Sequence, residues 1–170
     1  MLKQKLSVFL TKELKPKIME YKNLFDSKDV QDTITRINNL NPETVGQWGK
    51  MQVDQMLAHV NVPYDMTFTD KYPKPKGFKK FMIKLFAKSA VVGPKPYQKN
   101  GRTAPEFIIA DRRIFEEEKS RLIQNLEKTQ ELGAENFNNK ESHAFGKLTT
   151  KEWNTLFSKH LDHHLTQFGV

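Results

Sequence analysis

The stretch "LTTKEWNTLFSKHLDHHLTQFGV" (residues 148–170) decides how this chain folds. Thr149 stands where a helix N-cap belongs, and Glu152 follows three residues later. The threonine hydroxyl can accept from the Glu152 N–H while the glutamate carboxylate reaches back to the Thr149 N–H. Leu148 before the cap and Trp153 after it are the apolar pair that fixes the entry of such a helix. At about 100° per residue, with His160 set at zero, Trp153, Leu156, Phe157, Leu161, Leu165 and Phe168 share one broad apolar arc. The pattern predicts an amphipathic helix with one face in a core.

Three of the five histidines lie on that helix. His164 is about 40° from His160, inside the apolar arc; His163 is about 60° away on the other side, at its edge. Asp162 points to the far face. Residues at i and i+4 are neighbours on a helix, so the imidazoles of His160 and His164 can reach one ion at about 2.0–2.1 Å each. His160 and His163, at i and i+3, can also share an ion. The competing reading is a pair of core histidines satisfied by hydrogen bonds. Leucines at helical spacing separate the segment from a purification tag. A metal site needs a third ligand, and the pattern names none; the remaining histidines are His59, on a helical stretch, and His143, in a polar loop.

Outward from this helix, the punctuation predicts more helices. "DSKDVQDTITRINNLNPET" reads as a helix from about Ser27 to Leu40, stopped by Asn41-Pro42, because the residue before proline is biased away from helix. In "MQVDQMLAHVNVPYDMTFTD", Val53, Met56, Leu57, Val60 and Tyr64 recur at helical spacing, with Pro63 expected to kink or end the helix. "GFKKFMIKLFAKSAVVG" carries a stripe of Phe78, Phe81, Met82, Leu85 and Phe86, with Lys79, Lys80, Lys84 and Lys88 away from it. "DRRIFEEEKSRLIQNLEKTQELG" is a long helix ending at Gly133, its expected buried face Ile114, Phe115, Leu122, Ile123, Leu126 and Leu132. A short helix is expected in "MLKQKLSVFLTKELKPK". Strand signals are nearly absent. The expectation is an all-α fold, a four-helix bundle forming one domain over residues 1–170.

A chain of 170 residues with 37% hydrophobic side chains is long and apolar enough to bury a core. It has no cysteine, which excludes disulfides, thiolate metal ligands and a cysteine nucleophile. The run "LSVFL" is too short for a signal peptide, and no stretch approaches the roughly 20 apolar residues of a membrane span, so a cytoplasmic protein is expected. The net charge of +8 sits in one place. Residues 71–102 hold ten Lys or Arg and no Asp or Glu, while the rest holds 18 basic and 20 acidic residues. This segment reads either as a solvated lysine face on a helix whose Phe/Met/Leu stripe packs on the bundle, or as a binding module for an anionic membrane or acidic partner. The first is the expectation taken forward. No nucleic-acid-binding signature is present, and nucleic acid is not an expected partner.

Two motifs carry a resemblance: "WGKMQVDQMLAHV" (48–60) and "HAFGKLTTKEWNTLFSKHLDHHLTQFGV" (143–170), with "TAPEF" (103–107) between them. Together they resemble the DinB-like superfamily of metalloenzymes, and more closely a branch of it known as a domain of unknown function. The resemblance implies an up-down-down-up bundle with a long crossover between the second and third main helices, the 71–102 segment lying in that crossover. It implies a divalent metal, nickel or zinc, on one histidine of the second helix and an H-x-x-x-H pair on the last. Those positions are His59, His160 and His164. It also implies thiol-dependent S-transfer or isomerisation with a low-molecular-weight thiol, or a lost activity; the three-histidine set itself is also compatible with a hydrolytic enzyme acting on a small-molecule substrate. His163, His143 and Gln55, one turn before His59, are candidates to orient a ligand from behind. A homodimer is compatible with a bundle of this size.

Overall fold

The fold is that of a computed structural model, which describes residues 21–170. The short helix expected in "MLKQKLSVFLTKELKPK" lies outside the described residues. Four long helices build the core: α1 (Ser27–Asn38), α2 (Val53–Phe68), α4 (Phe115–Asn136) and α5 (Thr150–Gln167). A fifth, α3 (Gly77–Val92), lies in the long connection between α2 and α4, followed by a 3₁₀ turn at Pro105–Phe107.

Three of the helices start on capping side chains present in the sequence. The Asp26 carboxylate accepts from the N–H groups of Lys28 and Asp29 at the head of α1. Gln52 and Gln55 cap α2 reciprocally, and Thr149 and Glu152 do the same for α5. Such side chains satisfy N–H groups that a helix's first turn leaves without partners. The Asn41-Pro42 stop is real: α1 ends at Asn38 and its last turn closes on Asn39 and Leu40.

α2 is the central helix and is buried almost all round, from Val53 to Asp65. It does not end at Pro63 but runs to Phe68. Proline has no N–H, so the helical bond that would reach the His59 carbonyl is missing, yet enough packing surrounds the turn to carry the helix through. Polar residues inside α2 are matched from α4. Asn61 Nδ2 donates to the Glu118 carbonyl at 3.0 Å, and Asn61 Oδ1 accepts from Asn125 at 2.9 Å. Asp65 accepts from Arg121 at 2.7 Å. Buried polar groups left unpaired would cost about 1–3 kcal/mol each, so this network fixes the register of α2 on α4.

α4 starts later than the periodicity suggested. Residues 111–114 are not helical, and there Asp54 of α2 captures Arg112 Nε at 2.8 Å and the Arg113 N–H at 2.7 Å. Ile114 is therefore exposed, and Leu132 is too, while Leu122, Leu126 and Thr129 are buried. Gly133, at φ 73°, breaks the helical path where a C-cap was expected. One further turn reaches Asn136 and seats Phe137, which packs on Trp153, Phe157 and Phe25.

The sequence pattern missed two features. The loop before α5 forms a small antiparallel hairpin, β1 (Lys140–Ser142) with β2 (Gly146–Leu148). Three residues per strand are too few to show alternation. The second is the orientation of α3. Its stripe was expected to pack on the bundle, but Phe78, Phe81, Leu85 and Phe86 are exposed and no α3 residue is fully buried. The bundle side carries two ion pairs, Lys80 to Glu141 at 2.9 Å and Lys88 to Glu152 at 2.8 Å, and partly buried Val92 packs against the core.

Candidate metal centre

α2 and α5 pack side by side, and their contact brings His59, His160 and His164 together. The ligand-capable nitrogens of the three lie within 4.8 Å of one another. Ring centroids are 4.5 Å apart for His59–His164 and 4.9 Å for each of the other two pairs. His59 Nε2 and His160 Nε2 face each other at 2.9 Å. Two nitrogens each about 2.0–2.1 Å from one ion lie about 2.9–3.4 Å apart for angles between 90° and tetrahedral, so this spacing suits shared coordination.

The rings are aimed from behind. His59 Nδ1–H donates to the Phe107 carbonyl at 2.8 Å, which leaves Nε2 with its lone pair toward the other histidines. His164 Nδ1–H donates to Gln167 Oε1 at 2.7 Å. Gln167 is itself oriented, because its Nε2 donates to the Trp48 carbonyl at 2.6 Å. A ring N–H held by a carbonyl or amide fixes the tautomer that a metal-binding histidine needs.

The set is also electrically ready. Burial is the main reason that His59 and His160 titrate below the usual range, with neighbouring histidines adding to it in both and the Phe107 carbonyl opposing it at His59. Burial pushes His164 down to about 3, helped by His59 and opposed by Gln167. All three are therefore neutral near pH 7 and able to donate lone pairs. Three neutral ligands leave a divalent ion's charge uncompensated, so an ion here would attract an anionic group to its open positions. The donor set, its tautomers and its spacing fit a metal ion.

Residues 19–169 match a family described as proteins of unknown function (DUF1569). The chain belongs to that family. No curated protein and no solved structure matches the chain.

The remaining expected residues of this DUF1569 chain sit outside the triad. His163 is half-buried, edge-on to Trp48, Tyr97 and His164, with centroids 5.8, 5.7 and 4.9 Å away. Its titration is lowered first by burial. It thus contacts one triad member by its ring and reaches none with a nitrogen. His143 lies in the hairpin turn, lowered by burial and by Lys74 and raised by Glu106; its buried Nδ1 has no partner among the described residues. Gln55 works at the head of α2, where its Oε1 accepts from the Gln52 N–H and its Nε2 donates to the Ala110 carbonyl, both at 3.0 Å.

Several participants were not legible beforehand. "TAPEF" supplies the Phe107 carbonyl, a backbone group that side-chain reasoning does not register. Gln167 had a signal, since it lies at i+3 from His164. Lys159 had none. It is buried, and its ammonium donates to three carbonyls in and just after the last turn of α3: Ala90 at 2.7 Å, Gly93 at 2.6 Å and Lys95 at 3.2 Å. Burial pulls it down to about 8. The clamp fixes the segment that carries Tyr97, whose ring lies edge-on to His160 at 6.2 Å. Tyr97 and His163 then share, with Tyr21, Trp48 and Lys99, the wall of a cavity of about 140 Å³ one ring away from the triad.

Proposed function

We propose that this chain is a metal-dependent enzyme acting on a small molecule, with a divalent ion, nickel or zinc, held by His59, His160 and His164. The observation that carries the reading is the aiming of the rings: Phe107 and Gln167 hold the Nδ1–H groups of His59 and His164, which leaves each Nε2 unprotonated, and one ligand nitrogen from each of the three histidines lies within 4.8 Å of the others. In the metal-free cluster the His160 Nε2–H donates to the His59 Nε2 lone pair at 2.9 Å, a hydrogen bond whose place an ion would take. The DinB-like resemblance supports the same ligands and the same choice of metals.

A bound ion of this kind lowers the pKa of a coordinated water to about 7 and polarises what it holds. The chain's own residues do the rest. The neutral ligands leave room for an anion, and the cavity beside His163 and Tyr97 offers an aromatic wall for a substrate. With no cysteine in the chain, S-transfer would take its sulfur from a low-molecular-weight thiol. Water in place of that thiol gives the hydrolytic alternative. The non-catalytic alternative keeps the bundle and loses the metal.

Untagged protein from metal-replete medium is the test, read by elemental analysis. Near-stoichiometric nickel or zinc is expected, absent from a His160→Ala/His164→Ala double variant that keeps its helical circular dichroism. A wild-type chain that carries no metal and takes none up on titration overturns the proposal.

A further inference from the structure

The outward face of α3 is unexplained by the metal centre. Phe78 is 76% exposed, Phe81 58%, Leu85 58% and Phe86 69%. They recur at i, i+3, i+7 and i+8, so they form one stripe along the helix. The stripe is not a floppy edge. α3 is held to the bundle on its other side by the Lys80–Glu141 and Lys88–Glu152 ion pairs, and its end is clamped by Lys159. The helix is fixed with its apolar side out.

The charge around the stripe limits what can cover it. Of the ten basic residues in 71–102, Lys71, Lys80 and Lys88 are paired with acids of the chain. The others, Lys74, Lys76, Lys79 and Lys84 among them, are exposed and have no acidic partner among the described residues. A second copy would bring the same all-basic segment against itself. The chain's first 20 residues hold five Lys and two Glu, so they too are basic. Both would place like charges together. The stripe is also the outer side of a single helix, which suits entry between lipid headgroups better than the grip of a groove on a peptide.

We infer that α3 is a peripheral docking helix for an anionic lipid surface. Phe78, Phe81, Leu85 and Phe86 enter the headgroup–acyl boundary, and the flanking lysines meet lipid phosphates. An amphipathic helix lying in that plane needs no span, and no helix among the described residues is long and apolar enough to cross a membrane. The inference is independent of the metal.

Co-sedimentation of the full chain with vesicles tests it. Phosphatidylcholine vesicles carrying phosphatidylglycerol at about one part in three are expected to bind the chain at least about tenfold more tightly than phosphatidylcholine alone, with loss at high salt. A Phe78→Ser/Phe81→Ser/Phe86→Ser variant is expected to lose at least about tenfold while keeping its thermal midpoint, since all three side chains are exposed. Three results overturn the inference. One is a wild-type chain that does not sediment with anionic vesicles, or a variant that binds as well as wild type. Another is a wild-type dimer in light scattering that the variant dissolves, which makes the face a self-interface. The third is polyglutamate retaining the chain more tightly than the vesicles do, which makes the partner an acidic protein.

Discussion

α3 and α5 lie against each other and share a plan. Each is a helix with an apolar stripe, lysines off that stripe and a role beside the triad. They face opposite ways. α5 turns Trp153, Phe157, Leu161 and Leu165 into the core, whereas α3 turns Phe78, Phe81, Leu85 and Phe86 to the outside. Periodicity establishes that an apolar face exists; it does not say which neighbour that face meets. For α5 the direction is set by the cap and the Leu148–Trp153 staple at its head, which commit the stripe to the core before the helix begins. For α3 no such device exists. Its bundle side meets two glutamates and a lysine of other elements, Glu141, Glu152 and Lys159, and none of these is visible within residues 77–92.

One chemical change made in both helices gives the largest expected effect. Phe157→Ala on α5 removes a fully buried ring that stacks on Tyr64 at 4.6 Å. It is expected to cost about 3–5 kcal/mol in a urea melt. Phe86→Ala on α3 is expected to stay within about 0.5 kcal/mol, as exposed substitutions do. A cost above about 2 kcal/mol for Phe86→Ala would mean that something covers α3 in solution.

The second difference is in pH response. His59, His160 and His164 all titrate below their ordinary value in the folded chain. As pH falls below about 6.5, the unfolded chain takes up protons on these residues and the native chain resists them, so metal-free protein loses stability. The slope is about 1.4 kcal/mol per pH unit for each histidine whose folded pKa lies below the pH of measurement. His164, held at about 3, alone contributes about 1 kcal/mol between pH 6 and pH 5, and His59 and His160 add to the loss in the same direction, read from denaturant melts in chelator. α3 contains no histidine. Its local opening, followed by hydrogen exchange, is expected to be unmoved over the same range after correction for intrinsic exchange. A flat stability curve would remove the buried, neutral triad.

A third prediction separates aiming from ligation. Gln167→Ala leaves all three ligands but frees the His164 ring. Metal affinity is expected to fall about 10–100-fold, and the melt of the metal-free chain to lose about 1–3 kcal/mol from the unpaired His164 N–H and Trp48 carbonyl. Gly49 offers an independent way to the same end. It sits at φ +83°, and a Cβ there would meet Gln167 Nε2 at 2.6 Å. Gly49→Ala is therefore expected to displace Gln167 and weaken metal binding in the same direction, read by competition with a chromogenic chelator. Unchanged affinity in both variants would show that Gln167 does not position the ligand.

These three contrasts also mark what the sequence could and could not disclose. The helical fold was legible because it is written locally: the Thr149–Glu152 cap, the Asn41-Pro42 stop and the apolar periods of α2 and α5 each act within a few residues. Of the candidate site, the helical spacing of His160 and His164 was legible, and His59 entered only by resemblance. The rest was not, because it depends on groups brought from far along the chain. Phe107 acts through its backbone carbonyl from 48 residues away, and Lys159 reaches carbonyls 64 to 69 residues away. Pro63 does not end α2 for the same reason. Its local cost is real, but the packing of α4 and α5 around α2 outweighs it.

The smallest expected energy bears most directly on why α3 faces outward. Lys80–Glu141 and Lys88–Glu152 are part-exposed pairs, each expected to contribute about 0–1 kcal/mol in a double-mutant cycle. Glu141 lies below the usual carboxylate range because Lys80 bonds to it. Glu152 does so because Lys88 and the Thr149 N–H together outweigh its burial. Neither pair stabilises the protein much, and together they are expected to bias which side of α3 meets the bundle. Lys80→Glu/Lys88→Glu places like charges against both glutamates while leaving the apolar stripe intact. Global stability is expected to drop by no more than about 1–2 kcal/mol, because α3 buries no residue fully. Hydrogen exchange over residues 77–92 is expected to quicken, while the amides of α5 around Phe157 stay protected. If α3 exchange did not change, the ion pairs would be bystanders, and the Lys159 clamp at its end would have to orient the helix alone. The Lys159→Met variant, read by the same exchange measurement, decides between the two: loss of protection confined to the last turn of α3 leaves the orientation with the glutamates, and loss along the whole helix gives it to the clamp.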